Sequence, residues 1–255
     1  LGTDINIQIW AASYQIVAWF GAITGFIFAK KWGGFKSLLG RTALAFSFGL
    51  LAQSFGQSVF SWYFYTGNEL PFPSIADIGY FGSIPFYIYG ISSLAKIVGS
   101  KYSLRSSINR VWAIVIPVAI LIASYFEFLK GYEFSQVQPN LTDFLNFGYP
   151  LGQAIYISIA ILAFLFSRNS LGGIMKSAMM MFIIALSAQF IADYSFLYLS
   201  MKGLFVGGGV VDCLYLVAYF LMALSLIRLG IVFHEINNGQ DQLAVEDATT
   251  TQNVQ

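Results

Sequence analysis

Apolar residues in this chain come in long uninterrupted runs, not in the alternation of a half-buried strand or the three-and-four spacing of a surface helix. Each run is close to the ~20 residues that cross a bilayer as a helix. Short clusters of charged or turn-forming residues bound them. Seven runs result: about Ile7 to Ala29, Arg41 to Tyr65, Ser74 to Lys96, Val111 to Phe128, Thr142 to Phe166, Ser177 to Leu199 and Gly209 to Phe233. The pattern predicts an all-α integral membrane protein with seven transmembrane helices over residues 1–236. The polar, acidic tail 237–255 has no periodicity and is expected to be disordered.

Composition narrows the class further. The chain is 57% hydrophobic and 10% charged, with mean hydropathy +0.70. Ordinary globular domains carry about 25% charged residues, so a soluble domain is excluded. The net charge of +1 gives no sign of a nucleic-acid partner. A single cysteine, Cys213, leaves no intrachain disulfide and reads as a small packing residue within a helix. The opening Leu1-Gly2-Thr3-Asp4 lacks the basic start of a cleavable signal peptide.

Basic residues set the expected orientation. Lys30, Lys31, Lys36 and Arg41 fall between the first two runs; Lys96, Lys101, Arg105 and Arg110 between the third and fourth; Arg168 and Lys176 between the fifth and sixth. Arg228 lies near the end of the seventh, and only Lys130 and Lys202 fall on the other side. The positive-inside rule places the first group in the cytoplasm, with the N-terminus outside and the C-terminus inside. Trp32 and Trp112 then mark the inner interface, Trp10 and Trp62 the outer one.

A repeat is visible within this layout. Asp77, Asp143 and Asp212 lie 66 and 69 residues apart, each just after a turn-former and just before an apolar run. Gln53 and Gln57 precede the first as Gln189 and Asp193 precede the third. The repeat is expected to be three parallel helical hairpins, at about 42–96, 111–167 and 177–233, preceded by one extra helix. Unlike inverted repeats, parallel ones do not by themselves place a site at the bilayer midplane.

The candidate chemistry is polar and sits in the outer half. Ser74 with Asp77, and Asn140 with Asp143, have the spacing of a capping box, and Gly209 fills the same slot before Asp212. The three aspartates are therefore helix caps, or caps that also touch a ligand or cation. Asp193 lies inside its run, about 9 Å below the outer end at 1.5 Å per residue. A charge at that depth normally faces the bundle interior or a water-filled cavity. Gln53 with Gln57, and Gln189 with Asp193, each share one helix face. Together with Tyr215, these residues define either a binding pocket or interhelical hydrogen bonding, with Glu127, Asn146 and Gln153 as additions. Pro85 and Pro150 are expected to kink their helices at matching depths. Asn140-Leu141-Thr142 is a glycosylation sequon. No lysine lies within the last run to carry retinal, and no histidine falls inside a run to ligate haem or zinc. No phosphate loop or nucleophile motif is present. No cofactor and no enzymatic activity are expected.

The stretch Ser61-Trp62-Tyr63 through Gly67, followed by Pro71-Phe72-Pro73-Ser74-Ile75-Ala76-Asp77-Ile78-Gly79-Tyr80-Phe81, resembles the multi-span membrane sensor region of bacterial diguanylate cyclases (GGDEF, often with EAL) and of some histidine kinases. The resemblance implies a sensory input domain in a prokaryotic plasma membrane. The polar stretch 237–255 is too short for that family's cytoplasmic output domain, so the chain is expected to be either the isolated input module or a relative that acts through a partner. The expected function is a receptor-like module that binds a small ligand or cation and signals through a partner. The rivals are a small-solute or cation transporter or channel, and a structural subunit of a membrane complex.

Overall fold

A computed structural model describes residues 5–68, 70–97, 107–129, 140–167 and 175–252. Among these there are helices and no strands. The helices are α1 (Ile5–Ser13), α2 (Ile16–Lys31), α3 (Leu38–Tyr65), α4 (Ala76–Ile97), α5 (Ser107–Ser124), α6 (Leu141–Ser167), α7 (Met175–Met201) and α8 (Val210–Gln252). A π-helical turn, Tyr125–Leu129, continues α5.

Six stretches are long and apolar enough to cross a membrane: Ile5–Lys31, Leu38–Tyr65, Ile108–Glu127, Leu141–Phe166, Ser177–Met201 and Val210–Ile236. The third expected span does form a helix, α4, but falls short of the others in apolar content. Its sequence carries Asp77, Ser83, Ser92, Ser93, Pro85 and three glycines. Gly79, Ser83 and Gly90 face α3. There Gly79 meets Gly56 so closely that a methyl group on Gly79 would stand 2.4 Å from the Ala52 carbonyl oxygen. Small residues let membrane helices approach backbone to backbone.

The first expected span differs from a single helix. It breaks at Tyr14 and Gln15, without a proline. The Ser61 hydroxyl lies 3.1 Å from the Ala11 carbonyl and 2.9 Å from Gln15 Oε1. A side chain inserted into the backbone ladder is an established cause of such breaks. Pro85 and Pro150 lie within α4 and α6, and Pro117 within α5; each helix is assigned continuously through its proline.

Contacts fix the helix directions. Tyr14, just before α2, meets Asp212 of α8, and along the two helices Gly21 meets Ala223, Gly25 meets Leu226 and Lys31 meets His234, so the two run parallel. Phe81 against Gly148, Ile84 against Gly152 and Tyr87 against Tyr156 make α4 and α6 parallel as well. In contrast, α3 runs antiparallel to α4, as Phe46 reaches Gly90, Gln53 reaches Ser83 and Gly56 reaches Tyr80. Asp193 with Tyr215, and Ser177 with Arg228, make α7 antiparallel to α8. The starts of α4, α6 and α8 therefore share one end of the bundle, hereafter the aspartate end. Lys31, Arg228 and His234 lie at the other, the basic end.

Three further expectations meet a different outcome. The tail from 237 continues as part of α8 to Gln252, its Gln, Leu, Ala and Glu residues being good helix formers. Cys213 is exposed on α8 and is not packed inside. Glu127 is exposed on the π-turn, away from the interior cluster expected to include it. Lys101, Arg105, Lys130 and Arg168 lie outside the described residues.

Candidate functional site

An apolar run that contains tyrosine instead of phenylalanine brings a hydroxyl into hydrocarbon, and each such hydroxyl needs an acceptor. At the aspartate end that need is met for Tyr14, Tyr80, Tyr149, Tyr156, Tyr215 and Tyr219 by the carboxylates and amides singled out in the sequence. Asp193, 8% exposed on α7, is the centre. Its Oδ2 accepts the Tyr156 hydroxyl from α6 at 3.1 Å. Its Oδ1 accepts the Tyr215 hydroxyl from α8 at 3.1 Å and Gln189 Nε2, one turn earlier, at 3.0 Å. Three donors from three helices thus surround one buried carboxylate.

The glutamines of α3 join the same polar layer through other tyrosines. Gln53 Nε2 donates to Ser83 Oγ at 2.8 Å, and its Oε1 accepts the Tyr219 hydroxyl at 3.3 Å. Gln57 Oε1 accepts the Tyr80 hydroxyl at 2.8 Å. Gln53 and Gln57 therefore tie α3 to α4 and α8, and neither bonds to Asp193. Tyr87, whose ring meets that of Tyr156 edge to face at 6.1 Å, brings α4 against the Asp193 cage.

Of the helix-start aspartates, Asp77 and Asp212 accept backbone amides, while at the start of α6 Asn140 is the capping side chain. Asp77 Oδ2 accepts the Ser74 amide at 2.7 Å, while Ser74 Oγ accepts the Ala76 amide at 3.2 Å. Asn140 Oδ1 accepts the amide of half-buried Asp143 at 2.8 Å. Asp212 reaches back to the Gly208 amide, one residue further than a capping box. Two of them also bind a tyrosine across a helix boundary. Tyr149 of α6 donates to Asp77 at 2.6 Å, and Tyr14 at the α1–α2 break donates to Asp212 at 2.9 Å. Asp212 is 1% exposed, so its carboxylate belongs to the interior as much as to the cap.

Of the residues singled out in the sequence, Asp193, Gln189 and Tyr215 meet in one cluster, with Gln53 and Gln57 in its neighbourhood. Tyr14, Tyr80 and Ser83 are members that sequence reasoning misses. The signal available for the tyrosines is their replacement of phenylalanine within otherwise apolar runs. Three buried atoms in this layer have no hydrogen-bond partner among the described residues: Gln57 Nε2, Tyr87 Oη and Gln153 Oε1. A separate groove of about 360 Å³ lies outside the layer, lined by Ala123, Glu127, Tyr194, Ser195 and Tyr198. Among the described residues no group of three or more His, Cys, Asp or Glu side chains is arranged to hold a metal. No protein-family model matches the chain, and neither a curated protein nor a solved structure matches it.

Proposed function

We propose that the chain is a receptor-like sensor module of a prokaryotic plasma membrane, non-enzymatic, with seven spans. On this reading α4 is the seventh span and the aspartate end faces outward. The three parallel hairpins follow the extra first helix, and a small ligand enters the polar layer around Asp193. The observation that carries the reading is the set of unpartnered buried atoms beside the Asp193 cage. A buried polar atom without a partner costs about 1–3 kcal/mol, and a small polar ligand that bonds several of them recovers that cost. The sensory role is supported by α8. It contributes Asp212, Tyr215 and Tyr219 to the layer and runs on to Gln252, past the basic end. At 1.5 Å per residue its 43 residues span about 64 Å, roughly twice the ~30 Å hydrocarbon core. A shift of α8 at the polar layer is thus carried outside the bilayer, where a cytoplasmic or membrane partner reads it.

Two other functions compete with this reading. A transporter needs polar groups through the basic half, and there Phe46 stacks on Phe182 at 4.4 Å while Gly230 is closed by Phe28. A structural subunit would use the polar layer only to bind helices together. A density map of the protein in lipid nanodiscs, at a resolution that shows ordered solvent, separates sensor from structural subunit. Non-protein density larger than single waters, touching Gln57 Nε2, Tyr87 Oη and Gln153 Oε1, is the expected result. If those atoms instead bond to neighbouring side chains in a closed bundle, the receptor reading fails.

A further inference from the structure

The groove between α5 and α7 is built from residues that the polar layer does not use. Ala123 and Glu127 form one wall, Glu127 standing on the π-helical turn; Tyr194, Ser195 and Tyr198 form the other. A hydrogen bond between Ser124 and Tyr194 joins the two walls. Its volume, about 360 Å³, lies at the small end of the roughly 300–1,000 Å³ typical of ligand sites. π-Turns within α-helical segments frequently mark functional positions, and this one places a carboxylate in the groove.

The charges there are unusual for a lipid-facing surface. The Glu127 carboxylate has no hydrogen bond or ion pair among the described residues. Lys202, one turn beyond Tyr198, bonds to the Tyr198 hydroxyl with its ammonium over the ring, 4.0 Å from the centroid. An anion and a cation thus flank one groove without pairing with each other. Such a pair is complementary to a zwitterion whose ammonium meets Glu127 and whose anion meets Lys202.

Depth and exposure identify the source of that zwitterion. Glu127 ends one apolar span, and Tyr198 lies one turn from the end of another, so the groove sits at the membrane–water boundary. The α5 span buries 6% of its residues, against 33% or more in each of the other five, which leaves the groove open to lipid. A phospholipid headgroup is already present at that level, at the concentration of the bilayer itself.

We propose that this groove binds the headgroup of a zwitterionic phospholipid with a primary ammonium. Glu127 accepts hydrogen bonds from the ammonium, and Lys202 pairs with the phosphate. The tyrosine rings supply an electron-rich wall. A primary ammonium donates hydrogen bonds to a carboxylate and a trimethylated one does not, so the site discriminates between the two.

The test uses the full chain in maltoside micelles, titrated with phosphatidylethanolamine, phosphatidylcholine or phosphatidylglycerol of identical acyl chains. Bound lipids are counted by native mass spectrometry. The expected preference for phosphatidylethanolamine over phosphatidylglycerol is about threefold to fivefold, the range of one exposed charge pair. Phosphatidylcholine is expected to fall between them. Glu127→Gln is expected to remove the preference without changing the melting temperature in lipid-free micelles. Lys202→Met is expected to weaken phosphatidylethanolamine binding by a similar factor. Equal retention of the three lipids overturns the proposal, as does an unchanged preference in Glu127→Gln. Displacement of the lipid by soluble phosphoethanolamine at comparable concentration also overturns it, because the groove would then take a soluble zwitterion.

Discussion

The two halves of the bundle are held together by different means. At the basic end, helices meet through small residues and apolar rings: Gly25 against Ser47 and Leu226, Gly230 against Phe28, Phe46 stacked on Phe182. Polar pairs between side chains there stay at the surface, as in Lys31 with His234 at 3.0 Å and Arg228 with Glu235 at 3.0 Å, and the half-buried Trp32 indole donates to the Leu229 carbonyl at 3.0 Å. At the aspartate end, the helices are tied by tyrosine hydroxyls that donate to Asp77, Asp193, Asp212, Gln53 and Gln57. Lipid offers no hydrophobic drive for helix association, so close packing and buried hydrogen bonds must do that work. Close packing fixes distance, while hydrogen bonds between named partners fix which faces meet. The polar half is accordingly the one that can rearrange by exchanging partners.

The sharpest way to break the packing side of this contrast is Gly79→Val at the α3–α4 contact. The new side chain meets backbone, which cannot swing aside, and the expected loss is about 3 kcal/mol. A lower melting temperature in detergent, with loss of a monodisperse peak, is the expected readout; an unchanged melt would mean that α3 and α4 are not packed this way. On the polar side, Asp193→Asn replaces an acceptor of three hydrogen bonds by one oxygen and an amide donor that faces hydroxyls. The expected loss is about 1–3 kcal/mol, read in the same assay. If Asp193→Asn melts like the unaltered protein, the cage contributes nothing to holding α6, α7 and α8 together. The smallest effect is expected at Arg228→Met. Its partner Glu235 is 40% exposed and Arg228 itself 30%, so the pair is worth about 0–1 kcal/mol and weakens with salt. A larger loss would show that the basic end also depends on ion pairing.

Much of this contrast is legible in the amino-acid sequence. A carboxylate within an apolar run, one turn from a glutamine, announces a polar layer, because the cost of burying a charge is set by local sequence and depth. The capping of α4 and α6 is likewise local, readable from Ser74 with Asp77 and Asn140 with Asp143. The features that escape such a reading depend on contacts between distant segments. The break at Tyr14 arises where Ser61 enters the ladder of another helix, and nothing in Ser13-Tyr14-Gln15 signals it. Whether Gln53 bonds to Asp193 or to Tyr219 depends on the rotation of α3, which spacing alone does not fix. The placement of Glu127 turns on one extra residue in a helical turn, a local change too small for apolar periodicity to register.

The bond between Tyr14 and Asp212 has a consequence for how the protein is made. Its partners are 198 residues apart in the chain. At a synthesis rate of about 5–20 residues per second, Tyr14 leaves the ribosome roughly 10–40 s before its acceptor exists. The first helix therefore enters the bilayer with that hydroxyl awaiting its acceptor, and the bundle closes only when the last span has arrived.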